Sequence, residues 1–167
     1  MTTASGSRVV EAPRATVWRA LAVLEPYCAV CDVSYVVSGK PGVGTTFVAA
    51  PGRLEGRPPR EGAPRGEILE WVPKKAVTTR LSLTPETWTT RIELADAGKG
   101  TQVTITLTRE PVRRNRVLER VQRGAMQRLV QRMVDAELDK LPAHVAQVHA
   151  AREGPAGEPG EGSERQG

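Results

Sequence analysis

The sequence predicts a single α+β domain: a curved antiparallel sheet wrapped around one long C-terminal helix. Three observations predict it. Residues 101–108 alternate strictly, with Val103, Ile105 and Leu107 on one side and Thr104, Thr106 and Thr108 on the other. That is the period of a strand with one buried and one wetted face. β-prone runs recur from Val33 to Thr108 between short Gly- and Pro-containing turns, as in a meander. From Arg113 to about Val148 the period becomes helical, with Leu118, Val121, Ala125, Leu129 and Met133 at three- and four-residue steps.

The elements follow in order. Arg8-Val9-Val10-Glu11 reads as the end of a first strand, preceded by a flexible segment over residues 1–7. Pro13 stands at the first position of a short helix, where its missing N–H costs nothing, and Val17, Leu21 and Leu24 share a face. Pro26 ends it, and a second short helical turn is expected over Tyr27 to Cys31. Strands follow at Ser34–Ser38 and Thr45–Ala50, around the turn Pro41-Gly42-Val43-Gly44. Pro51 to Gly66 reads as a long Gly/Pro/Arg loop. Strands over 67–72, 76–83, 87–95 and 101–108 end at Pro73, at Thr84-Pro85, in Asp96-Ala97-Gly98-Lys99-Gly100 and before the helix. The helix carries Arg116, Arg120, Arg123, Gln127 and Gln131 opposite its apolar stripe, and Pro142 is expected to end or kink it. The domain is placed at 8–150. Residues 151–167, rich in Gly, Pro and Glu, bury too little to offset their ordering entropy and are expected to be a disordered tail.

Composition narrows the function classes. Of 167 residues 39% are hydrophobic but only 4% aromatic, so the core is aliphatic. The net charge of +5 comes from arginines scattered among glutamates, which argues against a nucleic-acid footprint. There is no signal-peptide pattern at Met1–Ser7 and no apolar run of membrane-spanning length, so a cytoplasmic protein without integral membrane contact is expected. Cys28 and Cys31 lack the further ligands or βαβ context of a metal or redox motif and are read as structural thiols. His144 and His149 are placed on a solvated helix end. With no earlier histidine, a Cys–His or Ser–His nucleophile pair is not expected. No cofactor motif and no metal site is found.

A curved sheet and one helix leave space between them, so a ligand cavity is expected, lined by one sheet face and the helix stripe. The sequence here resembles the START-like (SRPBCC) helix-grip superfamily, in its bacterial polyketide cyclase/dehydrase and lipid-transport branch. The resemblance rests on Ala12-Pro13-Arg14-Ala15-Thr16-Val17-Trp18-Arg19-Ala20-Leu21, Gly42-Val43-Gly44-Thr45, Gly66-Glu67-Ile68-Leu69-Glu70-Trp71-Val72-Pro73 and Gly100-Thr101-Gln102-Val103-Thr104. It implies a helix-grip fold with two short helices after the first strand, and an internal site for a small hydrophobic molecule, lipid or polyketide-like. Two alternatives stand beside this reading: a cyclase, aromatase or dehydratase-like enzyme, suggested by the family branch and Glu70, and a protein- or membrane-interaction module using the basic helix face. A monomer or homodimer is expected.

Strand parity selects the candidate ligand contacts. Trp88 and Thr90 share a face with Ile92 and Leu94, and Thr79 stands between Val77 and Leu81. A hydroxyl on an apolar inner face needs a partner, which a ligand oxygen or water supplies. Phe47 on its strand, and Met126, Val130 and Met133 on the helix, complete the set. Glu70 is the one candidate base: if Ile68 and Val72 point inward it is desolvated, and its pKa rises. Leu69 and Trp71 compete for the same inner face, so parity alone does not place it.

Overall fold

The structure is a computed structural model describing residues 1–22, 26–28, 32–111 and 116–152, with side chains in the last segment described over 124–150. Eight strands form one curled antiparallel sheet in the order β1-β8-β7-β6-β5-β4-β3-β2. They are β1 Thr2–Val10, β2 Tyr27–Cys28, β3 Val33–Val37, β4 Thr46–Pro51, β5 Arg65–Val72, β6 Ala76–Leu83, β7 Glu86–Ala97 and β8 Gly100–Pro111. Helix α1 spans Arg14–Ala22, and the C-terminal helix α2 spans Arg116–Arg152. The expected meander is thus β3 to β8, and β1 joins it by pairing with β8.

Several expectations are corrected. Residues 2–7 are not a flexible segment but strand, paired with β8 along their length. Their scarcity of apolar side chains hides this in the sequence. The outer positions instead make hydroxyl pairs, Thr3–Thr108 at 3.1 Å, Ser5–Thr106 at 3.0 Å and Ser7–Thr104 at 2.8 Å. Inward, Ala4 is buried, and Gly6 lets α2 approach: a Cβ there would stand 2.7 Å from Leu138 Cδ1. The expected second helical turn is not observed at Tyr27–Cys28, which pair as strand with Ser34 and Val33; Cys31 lies outside the described residues. The expected tail is helical as far as Arg152, and 153–167 lie outside the described residues.

Pro142 does not end α2, which runs through it. A proline has no N–H for the carbonyl four residues earlier. That carbonyl, of Leu138, instead accepts from Arg8 Nη1 at 3.3 Å, and the same nitrogen donates to Asp139 Oδ1 at 2.9 Å. A β1 arginine thus replaces the missing helical donor.

The core lies between the concave face and α2. Val17, Ile68, Val103, Val130 and Val134 are its most buried side chains, each worth about 1.5–3 kcal/mol in apolar burial. Trp18 of α1 meets Trp71 edge-on, with centroids 5.1 Å apart. Phe47 crosses Gly66, its register partner on β5; a Cβ there would lie 2.2–2.7 Å from three ring atoms.

Candidate ligand-binding cleft

Helix α2 is fastened along the edge strand β1. Gln127 Nε2 donates to the Thr3 carbonyl at 2.8 Å and Gln131 Nε2 to the Ser5 carbonyl at 3.4 Å. At 100° per residue, Met126, Leu129 and Met133 fall on the other flank of the buried Val130–Val134 line. Leu129 and Met133 remain 43% and 39% exposed. The helix therefore lies on β1 and β8, with its apolar flank at Leu129 and Met133 turned away from β1.

Next to β8 across the sheet come the inner positions of β7 and β6. Thr79 stands directly opposite Thr90, Leu81 opposite Trp88, and Val77 opposite Ile92. Ile68 flanks Thr79 on β5, and Leu107 flanks Thr90 on β8. Leu81, Trp88, Ile92 and Met126 are partly buried at the border of the core. Towards α1 this face is closed by buried Trp18, Leu94 and Val103.

At the other end stands a charged pair that sequence reasoning missed. Arg109 shares the inward parity of Ile105 and Leu107, and Glu86 that of Trp88 and Thr90. The Arg109 guanidinium donates to Glu86, and Trp88 Nε1 donates to Glu86 Oε2 at 3.1 Å. The two charged side chains are only 17% and 24% exposed. The hydrogen bond from Arg109 holds the Glu86 carboxyl below its ordinary pKa; burial opposes that shift, and the arginine charge and Trp88 N–H reinforce it. Carrying the alternation of β8 one step past Leu107 would have found Arg109.

The other candidates fall in different places. Thr79, Trp88, Thr90 and Met126 are half-buried, and the Trp88 N–H is already committed to Glu86. Phe47 and Val130 are packed in the core at 5% and 0% exposure. Glu70 lies on the convex face, where Thr78 Oγ1 donates to it at 2.6 Å and Arg91 stands 3.5 Å away. The reason is a β-bulge: Ile68 pairs with Thr79 but Glu70 with Thr78, so Leu69 is the extra residue. The bulge lets Ile68 and Trp71 both pack inward and turns Glu70 out.

An open groove of about 640 Å³ runs past Glu70 on that convex side, bordered also by Arg14, Lys75, Arg91, Glu93 and Asp96. Its charges largely pair with one another, Arg14 with Asp96 at 3.3 Å and Arg91 with Glu93 at 3.2 Å.

His144 does not stand on a solvated end. Its Nδ1 is 2.9 Å from Cys28 Sγ and its Nε2 is 2.6 Å from the Ala20 carbonyl. The side chains of Arg116, Arg120 and Arg123, the expected basic face, lie outside the described residues. No helix among the described residues is long and apolar enough to cross a membrane.

This architecture and the sequence together define a family. The chain belongs to the polyketide cyclase / dehydrase and lipid transport family, whose model matches residues 1–146. Its curled sheet and C-terminal helix have the START-like, helix-grip arrangement. Among solved structures it is similar to TTHA0849 of Thermus thermophilus, with 21% identity, a TM-score of 0.59, and 87% of this chain and 97% of that one covered. NE0264 of Nitrosomonas europaea gives 16% identity and a TM-score of 0.60, with 92% and 97% covered. SA2116 of Staphylococcus aureus, a protein of unknown function, gives 11% and 0.64, with 90% and 94% covered. At these identities the likeness concerns the fold. No curated protein matches the chain.

Proposed function

We propose that the protein binds a small hydrophobic molecule, lipid or polyketide-like, on the concave face between β6–β7 and the apolar flank of α2. One observation carries this reading. Leu129 and Met133 are exposed on the flank of α2 turned away from β1, and Leu81, Trp88, Thr90 and Ile92 form a half-buried strip on the inner face of β6 and β7. Two apolar surfaces left in contact with water are stabilised by whatever apolar body fills between them. The opposed Thr79 and Thr90 hydroxyls supply the few polar contacts that orient a ligand in such a site. Membership of a family described by both cyclisation and lipid transport fits this substrate class.

Titration with an aliphatic fluorescent fatty-acid probe tests it. The wild type should bind with saturation, and Met133→Trp, which fills the space beneath the helix flank, should weaken binding at least tenfold without loss of helical signal. Unchanged affinity in Met133→Trp would place the probe elsewhere and end this reading.

A further inference from the structure

We infer that Arg109 anchors the acidic end of an amphipathic ligand in this cleft, and that Glu86 is the internal counter-anion which the ligand's carboxylate displaces. The inference rests on the cleft reading and adds the chemical class of the ligand. Its starting point is a pair of charges in an unusual place. Inner positions of a sheet are ordinarily apolar, yet Glu86 and Arg109 occupy two of them, at the border of the Leu81–Trp88 row. Replacing a shielded ion pair by apolar side chains is often neutral or stabilising, so stability alone gives little reason for this one.

Its geometry suits recognition. A guanidinium presents a planar fork of donors that matches a carboxylate, and its charge persists at any working pH. Glu86 holds that fork in place and carries the same functional group that a ligand would bring. Trp88 donates its N–H to the Glu86 carboxylate, which fixes the acceptor beside the apolar row. From Trp88 to Thr90 is one step along the inner face, about 7 Å at the rise of a strand. A ligand with its acid on Arg109 therefore lays its body over Trp88, Leu81 and Met126 and brings its first interior oxygen to the threonine pair. The free wall of α2, at Leu129 and Met133, covers the far side.

The pair also sets the selectivity. An acid exchanges one carboxylate for another on Arg109, so the shielded cation stays paired while Glu86 turns to solvent at the cleft border. A neutral ester of the same body leaves the Glu86–Arg109 pair as it is and gains only apolar burial.

The test uses a pyrene-labelled dodecanoic acid and its methyl ester, titrated below their aggregation limits into the full-length protein and its variants. Arg109→Gln should weaken the acid by roughly tenfold or more, the size of a charge-assisted hydrogen bond, and shift the ester far less. Glu86→Gln should do the reverse, tightening the acid severalfold because the Glu86 carboxylate no longer competes for Arg109. Arg109→Lys, which keeps the charge and loses the fork, should fall between wild type and Arg109→Gln. An acid-to-ester ratio that stays the same in Arg109→Gln and Glu86→Gln overturns the anchor while leaving the cleft reading intact, provided Met133→Trp still weakens both probes. If neither probe binds the wild type, the cleft reading fails and the anchor with it. Should Arg109→Gln not fold, Glu86→Gln decides alone: a raised acid-to-ester ratio supports the anchor, and an unchanged one overturns it.

Discussion

His144 receives the Cys28 thiol on Nδ1 because its Nε2 is committed to the Ala20 carbonyl, 2.6 Å away. A carbonyl only accepts, so Nε2 carries the proton and Nδ1 is left as the acceptor. Ala20 lies in the last turn of α1, where helical carbonyls lack partners within the helix. One imidazole therefore joins α2, the end of α1 and β2. Long-range proton–nitrogen spectra at pH 8 should show His144 protonated at Nε2. A double-mutant cycle of Cys28→Ala and His144→Ala should give a coupling of about 0.5–3 kcal/mol in urea unfolding. Additive single variants would reduce the contact to proximity.

The Glu86–Arg109 pair makes stability depend on acid. Its folded-state carboxyl pKa is lowered, chiefly by the hydrogen bond from Arg109. A lowered carboxyl contributes stability above the unfolded-state pKa, and that contribution is lost as pH falls through the folded-state value. From roughly pH 5 downward, below which free glutamate begins to protonate, the wild type should lose stability more steeply than Glu86→Gln. Parallel acid limbs for the two proteins would refute this. The effect should persist in moderate salt, since the pair is mostly shielded.

Phe47 and Gly66 fit as one unit. Gly66→Ala brings a methyl group within 2.2 Å of the ring and should destabilise the protein by about 1–3 kcal/mol through overpacking. Adding Phe47→Leu to Gly66→Ala should return part of that loss in thermal unfolding. If Gly66→Ala unfolds at the wild-type temperature, the ring has room that its position denies.

Arg8 and Pro142 make a conditional pair. Arg8→Ala leaves the Leu138 carbonyl without its side-chain donor and should cost about 1 kcal/mol. In a Pro142→Ala background the restored N–H at 142 takes that carbonyl, so the same Arg8→Ala change should cost less. Equal costs in both backgrounds, measured by denaturant unfolding, would show that only the ion pair with Asp139 matters.

Much of this is legible in the sequence, and the failures have physical causes. Strict alternation in β8 identifies the inner face because both of its faces are chemically distinct. Proline and glycine mark the strand ends at Pro73 and Gly98 for steric reasons that hold in any context. Thr79 and Thr90, chosen separately by parity, prove to be direct cross-strand partners. Parity fails at Glu70 because the bulge at Leu69 inserts one residue and reverses the faces beyond it. It does not see β1, whose inner positions are small because the helix presses on them. The His144–Cys28 contact spans 116 residues, so no local pattern announces it. Helical periodicity puts Ala125, Leu129 and Met133 in the apolar stripe, but a small difference in phase leaves them exposed and buries Val130, Val134 and Leu138. The hydrogen bonds of Gln127 and Gln131 to β1 show how the helix is rolled.

Strand β1 is the first of these elements to be synthesised, yet its one sheet neighbour is β8. Thr3 and Thr108 stand 105 residues apart in sequence, and Gln127, which also holds Thr3, stands 124 away. During translation this strand must therefore wait, unpaired, until the rest of the sheet has been made. Its hydroxyl-rich, weakly apolar composition suits that wait, because a sticky unpaired strand would seek partners in other nascent chains. The order of assembly is then the reverse of the order of synthesis at this edge, and pulse-labelled hydrogen exchange during refolding should protect the amides of β6 and β7 before those of β1.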